Sequence, residues 1–203
     1  MHQSFRFSIK ENCFESDFTF DQQYPLQLQL LSKRHWTPLA VCKKVAEYLA
    51  FKPGSKILDI GSGPGKFCLA ASHFKPYSFF SGIEQREELV SQSNQLKNKL
   101  RNTRVEFLHG NFTQVNFKSF DGFYFYNSFY ENIVSRDHID ESIDYSIELY
   151  EYYCRQLYSK LDEMPVDTRL ATYHSLEDEI PPAYTLVKSS EDLLLKFWRK
   201  AYD

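Results

Sequence analysis

The fold of this chain is decided by the stretch Ile57-Leu58-Asp59-Ile60-Gly61-Ser62-Gly63-Pro64-Gly65-Lys66-Phe67. An apolar run of strand type ends in an acid, three glycines follow at alternate positions, and the apolar residues after them can begin a helix. Open α/β sheets build small-molecule sites from a strand, a glycine-rich turn and a helix in that order. The glycines allow positive φ and a close approach to a ligand, and the helix start offers unpaired N–H groups. The stretch therefore predicts an α/β sheet with a ligand site at its strand ends.

The spacing of the glycines separates the candidate ligands. A dinucleotide-binding turn reads G-x-G-x-x-G, and here Gly61 and Gly63 fit but the third position holds Lys66. A phosphate-binding P-loop ends in G-K-[ST], whereas Lys66 is followed by Phe67. The pattern from Asp59 to Gly65 is D-x-G-x-G-x-G, which resembles the first motif of the class I S-adenosylmethionine (SAM) dependent methyltransferases. A glycine-rich turn without a ligand is the alternative interpretation.

A second marker lies on the next predicted strand. The apolar run over residues 77–83 ends in Glu84, about 20 residues past the last glycine, where an acid can bind both hydroxyls of a ribose. The resemblance implies a doubly wound, mostly parallel, Rossmann-like sheet of seven strands in the order 3-2-1-4-5-7-6, with helices on both faces. The alternating strand and helix patterns, closed by a predicted hairpin with its turn at Ser189–Asp192, favour the same fold independently of the motif.

The resemblance also assigns roles to residues along the chain. Asp59 and the backbone of the glycine turn would hold the methionine end of SAM, Glu84 the ribose, and Gln85, Asn111 and Phe112 the adenine. Thr37 would lie near the methionine end, although a plain helix cap explains it equally well. The implied cofactor-binding set is Thr37, Asp59, Gly61, Ser62, Gly63, Gly65, Glu84, Gln85, Asn111, Phe112 and Asn127.

The loop after the fourth predicted strand carries the candidate catalytic residues, Asn127 and Tyr130. They match part of the N-P-P-Y motif of methyltransferases that act on amino groups, with Ser128 and Phe129 in place of the prolines. The first and third residues of this loop also resemble the N-N-F turn of the non-SET histone-lysine methyltransferases. The match implies that Asn127 orients a nitrogen acceptor. A polar turn that ends an aromatic strand explains the same residues without a substrate role.

Length and composition limit the partners. The chain has 203 residues and a net charge of −3, with a sequence pI of about 6.1, which favours a small-molecule or protein acceptor over a nucleic acid. The cations between Lys97 and Arg104 are interpreted as complements to a helix end rather than as a nucleic-acid patch. Four scattered cysteines indicate reduced thiols in a cytoplasmic protein. We expect no metal site, no membrane segment, and a monomer or homodimer.

The domain division and the function of the chain are both expectations at this point, and each has alternatives. Residues 32–203 are predicted to form the methyltransferase domain. Residues 1–31 form an N-terminal extension, which either packs on the surface, as we favour, or covers the site or contacts a second copy. The chain is predicted to be a SAM-dependent methyltransferase that acts on nitrogen. The alternatives are a SAM- or adenosine-binding module without catalysis, a nicotinamide-dependent oxidoreductase, and a methyltransferase that acts on nucleic acid or oxygen.

Overall fold

A computed structural model describes residues 13–134, 138–175 and 177–202 of the chain. The strands are β1 (Lys56–Ile60), β2 (Phe79–Glu84), β3 (Val105–His109), β4 (Gly122–Phe125), β5 (Arg169–Tyr173), β6 (Tyr184–Ser189) and β7 (Leu195–Lys200). The helices are α1 (Asp17–Asp21), α2 (Leu26–Gln29), α3 (Ser32–His35), α4 (Leu39–Leu49), α5 (Lys66–Phe74), α6 (Glu87–Lys99) and α7 (Ile147–Asp162). The alternation of Phe5, Phe7 and Ile9 with polar residues predicts a short strand, and this segment lies outside the described residues.

The seven strands form one sheet in the order β3-β2-β1-β4-β5-β7-β6, which confirms the predicted topology. Strands β1 to β5 pair in parallel, and β7 runs antiparallel between β5 and β6. The chain passes from β1 to one side of the sheet and returns through β4 on the other side. The carboxyl ends of β1 and β4 therefore flank the crevice where open α/β sheets bind ligands.

Side chains of successive strand residues pack on opposite faces of the sheet, as the pleat requires. On one face, Tyr124 belongs to a core formed with α4, α5 and α6. On the other face, Phe123 and Phe125 pack into a core that includes Leu157 and Leu161 of α7. The predicted arrangement of helices on both faces is thus confirmed.

Two local predictions were wrong. Thr37 does not cap α4, because its hydroxyl is hydrogen-bonded to the hydroxyl of Tyr124 at 2.9 Å, and Asp17 Oδ1 instead accepts the N–H of Leu39 at 2.9 Å. Phe18 and Phe20 alternate with other residues in a pattern that predicts a short strand, but both residues lie in helix α1. Positions two apart on a helix point to different sides, and accordingly Phe20 is fully buried while Phe18 is 71% exposed.

The helical spacing of apolar residues up to Leu161 predicts a helix that begins near Ser142, whereas helix α7 begins at Ile147. The hydroxyl of Ser146 accepts the N–H of Leu149 at 3.1 Å, which satisfies one of the unpaired donors at the start of the helix. The polar residues before Ser146 are therefore left in the preceding connection. Strands β1 and β3 have the predicted bounds. The other strand and helix ends differ from the predicted ones by at most one or two residues, which is the usual uncertainty at element ends.

Residues 13–31 pack against the glycine turn that precedes α5. The hydroxyl of Tyr24 donates a hydrogen bond to the carbonyl of Pro64 at 2.9 Å. Lys66, at the first position of α5, forms ion pairs with Asp17 at 2.6 Å and with Asp21 at 2.7 Å. The described part of the N-terminal segment is thus fixed directly beside the predicted ligand site.

Gly65 offers a test of the packing behind the turn. It has a φ of +83°, and a Cβ placed on it would lie 2.4 Å from the ring of Phe107. We expect Gly65→Ala to lower the free energy of unfolding by about 2–5 kcal/mol, combining about 1–2 for a left-handed Cβ with about 1–3 for overpacking. Gly54 is the matched control, since its φ is +81° but a Cβ placed on it would have no described atom within 4 Å. Equal losses for Gly65→Ala and Gly54→Ala in urea unfolding would contradict this account.

Candidate functional site

A cavity of about 740 Å³ lies at the carboxyl ends of the central strands, which is within the range of small-molecule sites. Its walls come from the glycine turn, the ends of β1, β2, β4 and β5, residues 31–38 and the connection before α7. Of the predicted residues, those that line it are Thr37, Asp59, Gly61, Ser62, Gly63, Glu84, Gln85, Phe112, Asn127 and Tyr130. Gly65 and Asn111 do not line it.

Two glycines of the turn have different roles. Position 61, with a φ of +74°, requires glycine because the side chain of Ser128 approaches it closely. A Cβ placed on Gly61 would lie 2.4 Å from that side chain. The Ser128 hydroxyl donates to the carbonyl of Ile60 at 2.6 Å, so it fastens the loop after β4 to the turn. Gly63 has a φ of +53°, and a Cβ placed on it would have no described protein atom within 4 Å. The space beside Gly63 is therefore open to a ligand.

The side chains of Ser62 and Asn111 both pack against the protein, although Ser62 also lines the cavity. The Ser62 side chain packs over Gly82, and its hydroxyl has no hydrogen-bond partner among the described residues. The oxygen of Asn111 accepts the N–H of Thr113 at 3.0 Å, and its amide nitrogen donates to Gln85 at 3.1 Å. Asn111 thus orients Gln85, which itself lines the cavity.

Glu84 lies buried at the end of β2 and contacts both sides of the cavity floor. Its Oε2 accepts the N–H of Gly63 at 2.9 Å, and its Oε1 accepts the N–H of Arg86 at 3.0 Å. A carboxylate has about four acceptor positions. Glu84 therefore retains the capacity to accept hydroxyl groups from a ligand.

Arg86 is the centre of a buried ionic cluster that the sequence did not reveal. Its guanidinium donates to Glu131 at 2.7 Å, to Asp140 at 3.2 Å and to the hydroxyl of Tyr145 at 2.8 Å. Although burial acts to lower the pKa of Arg86, the charges of Glu131 and Glu84 raise it. The cluster holds the connection before α7 against the end of β2, where it forms one wall of the cavity.

Asp59 is buried at the end of β1 beneath the glycine turn. Its carboxylate accepts a weak hydrogen bond from the thiol of Cys68 at 3.6 Å, and no cation pairs with it among the described contacts. Burial raises the pKa of Asp59 to about 8, the Cys68 contact lowers it, and the charge of Glu84 raises it further. A cationic ligand group beside Asp59 would therefore favour its ionised form.

The other end of the cavity carries Asn127 and Tyr130 together with residues that the sequence reasoning missed. Asn127 has a φ of +37°, and its carbonyl accepts the N–H of Tyr130, whose side chain is 51% exposed. Tyr173 and His174, at the end of β5, line the same cavity. Partial burial lowers the pKa of His174. No motif marks the end of β5, and only the order β1-β4-β5 places these residues beside Asn127.

Several other sequence features do not contribute to this cavity. Within the described ranges, no three His, Cys, Asp or Glu side chains are grouped as a metal site would require, and Asp137 lies outside those ranges. The same part of the chain contains no helix long and apolar enough to cross a membrane. The cations between Lys97 and Arg104 lie in the last turn of α6 and in the connection to β3, at the amino-terminal edge of the sheet and opposite the cavity.

Comparisons with known proteins agree with this architecture. A family model described as a methyltransferase domain matches residues 51–147. A putative methyltransferase, yhhF, from Escherichia coli superposes with a TM-score of 0.58 at 12% identity, over 81% of this chain and 86% of that one. An RNA methyltransferase from Salinibacter ruber, in complex with S-adenosyl-L-homocysteine, superposes with a TM-score of 0.52 at 15% identity, over 81% and 91% of the two chains.

A third structure is a mutant of MtNAS in complex with S-adenosylmethionine, with a TM-score of 0.55 at 15% identity, over 95% of this chain and 70% of that one. No match was found among curated proteins. The structural likenesses show a shared fold, and the family model covers the glycine turn, the acid after β2 and the loop after β4. Residues 51–147 of the chain therefore match a methyltransferase domain, and the sheet has the fold of solved methyltransferases.

Proposed function

We propose that this chain binds SAM and transfers its methyl group to a nitrogen acceptor on a small molecule or a protein. The observation that carries the proposal is the position of the Glu84 carboxylate, which holds the N–H of Gly63 at the floor of the cavity and keeps further acceptor capacity. SAM, when bound, supplies a methyl group activated by a sulfonium. The family model and the fold shared with proteins crystallised with SAM or its product support this assignment.

The cavity residues fit the cofactor group by group. Asp59 is a buried carboxylate for which the described contacts include no paired cation, which suits a cationic amino group, and the first N–H groups of α5 suit a carboxylate. Glu84 suits the two hydroxyls of a ribose. Phe112, packed on Phe129 with ring centroids 5.1 Å apart, gives a flat apolar wall for an adenine, with Gln85 beside it.

Asn127 and Tyr130 are proposed to position the acceptor. An amide oxygen accepts a hydrogen bond without charge, so Asn127 can orient an NH₂ group and leave its lone pair available. Alignment of the reacting groups accounts for much of the rate of such a transfer. Phe129, the residue between them that replaces a motif proline, packs on Phe112 and Phe125 in the core. This packing favours catalysis over a binding module whose loop would block the acceptor.

An oxygen acceptor is the second candidate, and His174 is the observation that favours it. A neutral imidazole at the mouth of the cavity can accept a proton from a hydroxyl group. A nucleic-acid acceptor has less support, because the cations after α6 lie at the opposite edge of the sheet.

Glu84→Gln tests the proposed ribose contact. We expect SAM affinity, measured by calorimetry, to fall about 10- to 100-fold, since a hydrogen bond to a charged group contributes about 1.5–3 kcal/mol. Glu106→Gln on the exposed side of β3 is the control and should leave affinity unchanged. Unchanged SAM affinity in a folded Glu84→Gln protein would refute the placement of the ribose.

Proton release tests the role of Asp59. With its pKa raised to about 8 by burial, Asp59 is mostly protonated at pH 7, and a bound cationic amino group lowers that pKa. SAM binding at pH 7 should therefore release up to about one more proton from the wild-type protein than from Asp59→Asn. Calorimetry in two buffers of different ionisation enthalpy measures the difference. At pH 9 the difference should vanish, because Asp59 is already ionised; equal proton release by both proteins at pH 7 would exclude this role.

Asn127→Gly tests the positioning role without adding backbone strain, since glycine accepts the positive φ at this position. Tritiated methyl transfer from SAM into a fractionated cell extract should fall at least tenfold in initial rate, while SAM affinity stays within twofold of wild type. Asn94→Gly on α6 is the control for the loss of an asparagine elsewhere. Full transfer by Asn127→Gly would show that this amide does not orient the acceptor.

A further inference from the structure

Three rings form a continuous wall of the cavity at the carboxyl ends of β4 and β5. The ring centroids of Tyr126 and Tyr173 are 4.8 Å apart, and those of Tyr126 and His174 are 5.5 Å apart with planes inclined by 27°. The three residues come from the ends of the neighbouring strands β4 and β5, and all three line the cavity. Tyr126, Tyr173 and His174 together form the ring wall.

The backbone at the ring wall is held in an unfavourable conformation. Asn127 has a φ of +37° and His174 a φ of +57°, both in the left-handed region, which few non-glycine residues adopt and which Asn and His adopt more often than others. Each immediately follows a ring of the wall at the end of its strand. Backbone strain of this kind persists where the surrounding structure fixes it, and it is concentrated at functional sites. Both residues are cavity-lining, so the strain coincides with the place where an acceptor would enter.

None of the three rings of the wall carries a formal charge as a carboxylate, ammonium or guanidinium would, although, besides the effect of burial, the charge of Asp192, which does not line the cavity, acts to raise the pKa of both Tyr173 and His174. The described charged residues of the lining are Asp59, Lys66, Glu84, Arg86 and Glu131. Lys66 is neutralised by carboxylates of α1, and Arg86 by Glu84, Glu131 and the acid at position 140. Leu31 and Trp36 add apolar and aromatic surface to the lining of the same cavity.

We propose that the ring wall is the acceptor subsite, and that it takes a planar, uncharged ring compound bearing the nitrogen or oxygen to be methylated. The proposal rests on the proposed function and names its substrate class. A flat ligand can stack on Tyr126 in an offset or edge-on arrangement, as aromatic pairs prefer. The imidazole of His174 supplies a hydrogen-bonding group at the mouth for the polar edge of the ring.

A ligand with an ammonium group is the main alternative occupant of the ring wall, since aromatic cages also bind cations. A protonated amine has no lone pair to accept a methyl group. It would also lie in the same cavity as a sulfonium, and the carboxylate near the wall, that of Asp192, is exposed, so solvent and salt screen its attraction for a cation. Both considerations favour an uncharged ring.

Ligand-observed saturation-transfer NMR on the full chain, loaded with S-adenosyl-L-homocysteine, tests the subsite. The probes are indole, quinoline and phenol, compared with cyclohexylamine and butylamine as cationic amines of similar size. We expect the planar probes to bind at least tenfold more tightly than the amines. We also expect Tyr126→Leu and Tyr173→Leu, which keep apolar volume, to weaken planar binding at least tenfold. Tyr77→Ala, at an exposed tyrosine before β2, is the control and should change nothing.

The outcomes separate this inference from the proposed function. If the cofactor product does not bind, the proposed function fails first. If it binds with the same affinity to wild type and to Tyr126→Leu, the cofactor site is intact and the probes report on the ring wall alone. Amines that bind as tightly as the planar probes, or planar binding that survives both leucine variants, would overturn the acceptor subsite and leave the cofactor assignment standing.

Discussion

The carboxylate of Glu84 joins the two walls of the cavity, and the shape of the site depends on it. One oxygen holds the N–H of Gly63 on the glycine turn, and the other holds the N–H and guanidinium of Arg86. Arg86 in turn binds Glu131 and Asp140, which belong to the connection before α7. A single buried acid at the end of β2 therefore links the turn after β1 to a segment about 50 residues further along the chain.

Two buried cations close the site on opposite sides. Lys66 is 3% exposed and fastens α1 to the start of α5 through Asp17 and Asp21, and Arg86 is 5% exposed and fastens the connection before α7. Burying a charge is costly, so such pairs need not stabilise the fold relative to apolar residues. Their partners are nevertheless fixed, because an unpaired buried cation would cost several kcal/mol. The charges thus act mainly to specify where the two covering segments lie.

Local sequence patterns predicted the sheet well, because the periodic alternation of buried and exposed positions can be seen in neighbouring residues. The order of the strands followed from the alternating pattern and the family resemblance, and β3 was predicted to the residue. The ionic cluster of Arg86 was not predictable, since its acids at positions 131 and 140 leave no local signal. A helix cap was one of two explanations for Thr37, because threonine before a proline suits a helix start, yet its hydroxyl is hydrogen-bonded to the hydroxyl of Tyr124, 87 residues away. The ring at His174 was missed because no motif marks the end of β5, although the predicted strand order already placed β5 beside β4.

The distribution of charge along the cavity also orients a ligand that is cationic at one end. Lys66 and Arg86 are already paired with acids, so they offer little attraction to a ligand anion, and the backbone N–H groups at the start of α5 remain for a carboxylate. Asp59 is different, because burial without a paired cation among the described contacts raises its pKa to about 8 and leaves a site that a ligand cation can complete. The rings beside Asn127 offer no such compensation. We therefore expect the ammonium group of a ligand to bind at Asp59, which leaves the proposed acceptor wall of Tyr126 for an uncharged partner.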